Sequence, residues 1–413
     1  MNWSASSVRE ASRRGDYGRI VRDARRDAGV SQRQLGDACG ISQSAVSRLE
    51  NHGVGTYDMT ILARAATHLH IPRRLVGLAD HLPLDGTVER RNFLASGAAA
   101  AAAPLLGSPA HERHFVGGEP ATRRTATSAF RRLDGTTPSR QLIEPVLAHL
   151  RLTQHLASDT ADDEKRSQLA AAGSEVASLA GWLSWDMGDL GSARTWYGSS
   201  VAAARRSADR LLTAYQLGSL AQLEAHVENA AAALNLTRSA RRLLGPEAPA
   251  IARAWLSSVE ALAHAAAGVA HDADQALNAS MEATADIAAE GAPPWPWVFI
   301  FLPSKVAATR MACGARLARP DWVFDSQDAA AAALSSGHEK QRAQLVLDLA
   351  FAHLADGRLD GAFALGRRAL ETGVRCRSGR VVERARALRR AYTSPAPPRV
   401  VREFDEVLHG VYL

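Results

Sequence analysis

SQRQLGDACGISQSAVSRLEN, residues 31–51, decides how the N-terminal part of this chain folds. Ser31 can cap a helix through its hydroxyl, and Gln34 three residues on completes a capping box. Gly40 stands where that helix must stop and turn through a left-handed conformation. Ser42 then caps a second helix. Leu35, Ile41, Val46 and Leu49 supply the apolar residues that pack the two helices at a steep angle. Gln43, Ser44, Ser47 and Arg48 fall on the opposite face, where short amides and hydroxyls reach base edges in a major groove and arginine reaches phosphate or guanine.

Working outward, Tyr17, Ile20, Val21 and Ala24 have the spacing of a preceding helix. Leu62, Ala65, Ala66 and Leu69 have that of a following one capped by Asp58, and Pro72 opens a fifth carrying Leu75, Val76 and Leu78. Across Arg19 to Leu78 the segment resembles the helix-turn-helix of Cro and phage-repressor proteins, the XRE family. The resemblance implies operator contacts at Gln32, Gln43 and Ser44, with Arg33, Ser47 and Arg48 as further candidates. One departure is Gly36, where the family usually has alanine at the closest helix approach. Glycine fits that approach but weakens the helix by roughly 1 kcal/mol.

Composition limits what else the chain can be. At 413 residues it is too long for one helical core and predicts two or more domains. The net charge is +6, carried by 46 Arg and only 3 Lys against 43 acidic residues. Residues 1–80 hold twelve Arg and eight acidic residues, so most of the excess lies in the first fifth of the chain, which suits a nucleic-acid partner. Cys39, Cys313 and Cys376 are odd in number and far apart, which argues for a reducing compartment rather than a disulfide framework. No CxxC or His/Cys cluster has zinc spacing. His111-Glu112-Arg113-His114 lacks one residue of the spacing that puts two histidines on one helical face, so no metal site is expected.

Residues 80–140 become rich in Gly, Pro, Ser and Thr and read as a linker, 81–140, with short helical pieces. Arg90-Arg91-Asn92-Phe93-Leu94 with the alanine run behind it resembles a twin-arginine export signal. It follows a complete module, however, and its apolar run is shorter than the ~20 residues a span needs. A cytoplasmic protein without a membrane partner is expected.

From Leu142 onward the chain is helical and repetitive. Gly188-Asp189-Leu190-Gly191-Ser192-Ala193 returns as Gly357-Arg358-Leu359-Asp360-Gly361-Ala362, with an echo at Gly268 and Ala273. Twelve residues before these alanines stand Gly181, Ala350 and Ala261, and a fourth copy pairs Gly218 with Ala230. Small residues at both places let two antiparallel helices approach, and the glycine makes the turn. This resembles the tetratricopeptide repeat, with room for a degenerate copy around residues 300–335. In that register Trp182, Trp185, Asp186, Tyr215 and Trp255 face the groove as ligand-contact candidates, with core packing as the alternative. Pro293-Pro294-Trp295-Pro296-Trp297 reads as a rigid connection, and Val381–Tyr392 as a basic helix before a capping segment.

A Walker loop, a Gly-x-Ser-x-Gly elbow and any strand pattern are missing from the sequence, and Gly53-Val54-Gly55 lacks the third glycine of a dinucleotide fingerprint, so neither enzyme nor cofactor is expected. The expected fold is all-α: a five-helix, lambda-repressor-like DNA-binding domain (1–80), the linker, and a TPR-like α-solenoid (141–413). The expected function is a sequence-specific transcriptional regulator on double-stranded DNA, similar in architecture to the Rgg and PlcR type and to actinobacterial helix-turn-helix regulators with repeat tails. That resemblance implies a homodimer and a peptide or small-molecule effector, or a protein partner, in the repeat groove. The alternative is a protein–protein scaffold with a vestigial helix-turn-helix.

Overall fold

The N-terminal helices begin and end where their caps dictate. The computed structural model describes residue 3 and residues 5–54, 57–77, 118–291, 295–331 and 338–411. The chain divides into two compact units, Met1–Arg132 and Leu133–Leu413. The first contains α1 (Ser6–Arg14), α2 (Tyr17–Asp27), α3 (Gln32–Cys39), α4 (Gln43–Glu50) and α5 (Met59–His68), then one 3-10 turn at Arg73–Val76. Asp16 caps α2 by accepting from the Arg19 amide, and Asp58 accepts from the Ile61 amide at the start of α5. Ser31 and Gln34 form the full reciprocal capping box on α3, and Ser42 caps α4. Gly40 ends α3 at φ +69°. Tyr17, Ile20, Leu35, Val46 and Leu62 are fully buried among these helices, each contributing about 1.5–3 kcal/mol by leaving water.

Two features differ from the sequence expectation here. Helix α1 precedes the expected module and buries Val8 and Ala11. The expected fifth helix is a single 3-10 turn, because Gly77 at φ +70° turns the chain directly after Val76. Within the stretch read as a linker, Gly118–Leu133 is a helix (α6), whereas Leu78, the Arg90-Arg91 segment and His111–His114 lie outside the described residues.

The second unit opens with α7 (Ser139–Asp159) and continues as six antiparallel pairs among the described residues. These are α8 (Asp163–Asp186) with α9 (Leu190–Arg206), α10 (Arg210–His226) with α11 (Ala230–Leu244), and α12 (Ala250–Ala266) with α13 (Ala270–Glu290). Then come α14 (Pro303–Arg316) with α15 (Pro320–Ala331), α16 (Glu339–Ala355) with α17 (Leu359–Arg375), and α18 (Gly379–Ala391) with α19 (Arg399–His409). Each first helix packs on its own partner and on the first helix of the next pair, the arrangement of a TPR-like solenoid. No strand occurs among the described residues.

The repeat register needs one correction. The residue that seats the second helix in each of the first five pairs is its fourth: Ala193, Ala233, Ala273, Val323 and Ala362, all fully buried. The second copy therefore centres on Ala233, not Ala230, and pairs with buried Ala221 rather than with Gly218. The turn five residues before is left-handed in these five pairs. Glycine fills it at Gly188, Gly268 and Gly357, but Glu228 (φ +65°) and Ala318 (φ +52°) fill it in the other two. Those two turns blur the register of the second and fourth copies in the sequence, because the glycine that punctuates the rest is missing from them. Gly218 is small for a different reason: a Cβ there would stand 2.5 Å from the Trp255 ring.

The array also closes on itself. Helix α18 packs against α8, so the sixth pair touches the first. Gly379 makes this possible, since a Cβ there would lie 2.5 Å from the Met187 carbonyl oxygen.

Candidate nucleic-acid interface and repeat interior

A hydrogen-bonded chain runs from the core of the first unit to its surface. Arg25 in α2 grips Glu50 at the end of α4 through two bonds of 2.5 and 2.9 Å, and donates a third to the Val30 carbonyl. The remaining lone pairs of Glu50 accept from Gln32 Nε2 at 2.8 Å, and Gln32 Oε1 accepts from Gln43 Nε2 at 2.6 Å. Burial alone would raise the Glu50 carboxyl, but the bonds from Arg25 and Gln32 and the charges of Arg25 and Arg22 hold it below the usual carboxylate range. Glu50 is thus an ionised anchor. It fixes the first residue of α3, which in turn fixes the first residue of α4.

The candidates at this surface are disposed as follows. Arg33, Gln43, Ser44 and Arg48 are exposed, while Gln32 and Ser47 are partly buried. Ser44 Oγ lies 2.9 Å from Ser42 Oγ, and the Ser47 carbonyl accepts from Asn51 Nδ2. Arg33 and Arg48 make no hydrogen bond or ion pair with another described residue. The close helix approach at Gly36 is real: a Cβ there would sit 2.7 Å from the Ile41 carbonyl oxygen. The loop after α4 is tied back by Tyr57, whose hydroxyl accepts from the Gly18 amide and donates to the Gly53 carbonyl. Burial, with smaller contributions from its surroundings, pushes that phenol up to about 12. Gly55 lies outside the described residues. Arg25, Glu50 and Tyr57 carry no motif of their own, and only their burial marks them.

In the second unit the five predicted groove residues fall into two groups. Trp182, Trp185 and Asp186 lie together at the end of α8. Trp182 and Trp185 meet edge to face at 5.2 Å, the Arg380 guanidinium covers both rings at 4.6 and 4.9 Å, and Trp185 meets His226 at 4.8 Å. Trp182 Nε1 donates to Asp134 Oδ2 at 2.6 Å. Asp186, 1% exposed, accepts from Ser139 (2.7 Å) and Ser378 (2.6 Å) and pairs with Lys340 at 2.9 Å. Lys340 also pairs with Asp134 at 2.9 Å. Both oxygens of Asp186 are engaged in joining the first pair to the last two.

Tyr215 and Trp255 form the other group, about 16 Å away along α10 from His226 at 1.5 Å per residue. They cluster with Trp297 and Phe299, with ring centroids 5.1 to 6.5 Å apart. Trp297 is fully buried, so the Pro/Trp segment is an anchor and Tyr215 with Trp255 is its packing partner rather than part of the Trp182 cluster. Pro293 and Pro294 lie outside the described residues. The sequence reading missed Lys340, Ser378, Arg380, Arg316 and His226. No local signal marks them, since their partners lie up to 206 residues away.

Residues 16–79 match the family model of a helix-turn-helix domain. No curated protein matches the chain. Among solved structures it is similar to a Rap protein complexed with competence and sporulation factor, at 12% identity and a TM-score of 0.45, covering 70% of this chain and 86% of that one. It is also similar to Bacillus thuringiensis PlcR in complex with the peptide PapR7 and DNA, at 13% identity and a TM-score of 0.34, covering 83% of this chain and 98% of that one. Among the described residues no helix is long and apolar enough to cross a membrane, and no group of three or more His, Cys, Asp or Glu is placed to hold a metal ion.

Proposed function

We propose that this protein is a sequence-specific, DNA-binding transcriptional regulator of the XRE type that acts in the cytoplasm as a homodimer. The observation that carries the reading is the Gln32–Gln43 amide pair, anchored through Glu50 to the core and presented at the start of α4. Pre-set amides at that place suit bidentate contacts to base edges. Gln43 and Ser44 read bases in this proposal, Ser47 supports them, and Arg33 and Arg48 engage phosphate. One such module reads one half-site, so two copies supply affinity and spacing. The helical-repeat domain takes a peptide or small-molecule effector at Trp182 and Trp185. An effector that binds two arrangements of the dimer unequally shifts DNA affinity by that difference.

Selection from a randomised oligonucleotide pool at low salt tests the first part. A discrete sequence should emerge, with affinity falling steeply as salt rises. Gln43→Ala with Ser44→Ala should flatten the preference more than it lowers total affinity. A pool that stays random, or a double variant that discriminates as well as the parent, would remove the base-reading assignment.

A further inference from the structure

Four cations and three carboxylates meet on the inner wall of the ring. The wall gathers Arg316 from α14, Lys340 and Gln344 from α16, and Arg380 and Arg384 from α18, against the carboxylates of Asp134, Asp186 and Asp348. Lys340 is shared by Asp134 and Asp186, Arg380 Nε stands 3.8 Å from Asp186, and Arg384 pairs with Asp348. Arg316 has no carboxylate within ion-pair distance among the described residues, although the charges of Glu228 and Asp348 reach it. Its guanidinium reaches only the Ala225 and His226 carbonyls, at 2.6 and 3.2 Å, and Glu228 in the adjoining turn makes no ion pair with it. Three buried nitrogens on this wall, Arg380 Nε, Arg384 Nε and Gln344 Nε2, have no hydrogen-bond partner. Buried donors without acceptors are costly, and buried cations more so. The surplus of positive charge is also felt by His226. Burial, then the charges of Arg316, Arg380 and Arg384, push it down to about 3.

The wall is nevertheless reachable. The Arg380 and Arg384 side chains retain 13% and 20% of their exposure, and Trp182 is only partly buried. We propose that the inner wall of the ring binds an oxyanion, a carboxylate or phosphate group, held by Arg316, Arg380 and Arg384 with Trp182 and Trp185 flanking it. Guanidinium groups match such oxygens with paired donors, and a planar cation on an indole face keeps its N–H edges free for them. This assignment rests on the proposal that an effector enters the repeat interior, and it names that effector's chemistry. Because the site lies where the first and last pairs meet, an occupied site tightens the ring.

The test is a titration of the full-length protein without DNA, read by tryptophan fluorescence and by Tm. Sodium phosphate and sodium succinate serve as probes, with sodium chloride at matched ionic strength as the reference. One of the two oxyanions should give a saturable response that chloride does not, and the one that does identifies the group as phosphate or carboxylate. Arg380→Gln should weaken the response about tenfold or more, while the surface variant Arg253→Gln leaves it unchanged. Arg380→Lys, which keeps the charge and loses the paired donors, covers the case in which the glutamine variant does not fold. It should bind more weakly than the parent. The proposal is overturned if neither oxyanion saturates beyond chloride, or if the Arg380 variants respond as the parent does. Such a failure alongside a successful oligonucleotide selection removes the oxyanion alone and leaves the regulator standing.

Discussion

Replacing Glu50 with Gln tests whether the surface amides owe their placement to the core. Arg25 is 9% exposed and the Glu50 side chain 1% exposed, so the pair sits in a low-dielectric setting. Glutamine keeps one acceptor for Arg25 but loses the charge, and sets an NH2 group where the second oxygen accepted from Arg25 and Gln32. Breaking such a pair costs up to about 3–5 kcal/mol. The helical module of roughly 70 residues, from α1 to the 3-10 turn, has only about 4–10 kcal/mol of stability in all. Glu50→Gln should therefore melt the first unit well before the repeats, which calorimetry or hydrogen exchange would resolve as two separated transitions. Arg25→Met with Glu50→Leu removes both charges and should restore most of the stability. It leaves Gln32 Nε2 without its acceptor, so the double variant should fold but read DNA less selectively. A cost below about 1 kcal/mol for Glu50→Gln would show that the pair is screened by solvent. Full discrimination in the double variant would show that Gln32 and Gln43 need no anchor. The parent's contribution from Glu50 is present above the ordinary carboxylate range and is lost as pH falls through its lowered pKa.

Three further outcomes follow from the geometry. Gly36→Ala gains about 1 kcal/mol of helix propensity but puts a methyl 2.7 Å from the Ile41 carbonyl oxygen. The Tm of the first unit should fall, and a rise would mean that α3 and α4 can separate freely. Ala318→Gly should stabilise the array by about 0.5–1 kcal/mol in a denaturant melt, since the relief of a left-handed alanine exceeds the added flexibility of glycine. His226, depressed from 6.5 to about 3, makes the repeat unit lose stability as pH drops from 6.5, because the unfolded chain takes up a proton that the folded one refuses. His226→Gln should reduce that slope between pH 6.5 and 4.5 by up to about 1.4 kcal/mol per pH unit, and an unchanged slope would place the proton uptake elsewhere.

Local chemistry was legible and distant chemistry was not. Ser31, Gln34, Gly40 and Ser42 announce two helices and the turn between them because each acts within a few residues of itself. The repeats were legible at Gly188, Gly268 and Gly357 for the same reason, and illegible where Glu228 and Ala318 adopt a glycine conformation without being glycine. The tryptophans at 182 and 185 stood out by type and spacing. Their cover did not: Arg380 follows about 200 residues later in an ordinary arginine-rich helix, and nothing in its neighbourhood distinguishes it from Arg377 or Arg386. The partners of Asp186 were equally illegible, since a carboxylate beside two indoles reads the same with or without a lysine from the far end of the chain.

The meeting of Gly379 with Met187 and Gly188 changes how such a protein comes apart. An open stack of helix pairs frays from its two ends, because each terminal unit has one neighbour instead of two. Here the first and sixth pairs also hold each other through α8 and α18, so apart from the last helix, α19, local opening has fewer cheap places to begin. The same join is the last thing a nascent chain can make. Until the ribosome has released residues near 380, the early repeats wait without their closing partner, and a product cut short before that point keeps Trp182 and Trp185 uncovered.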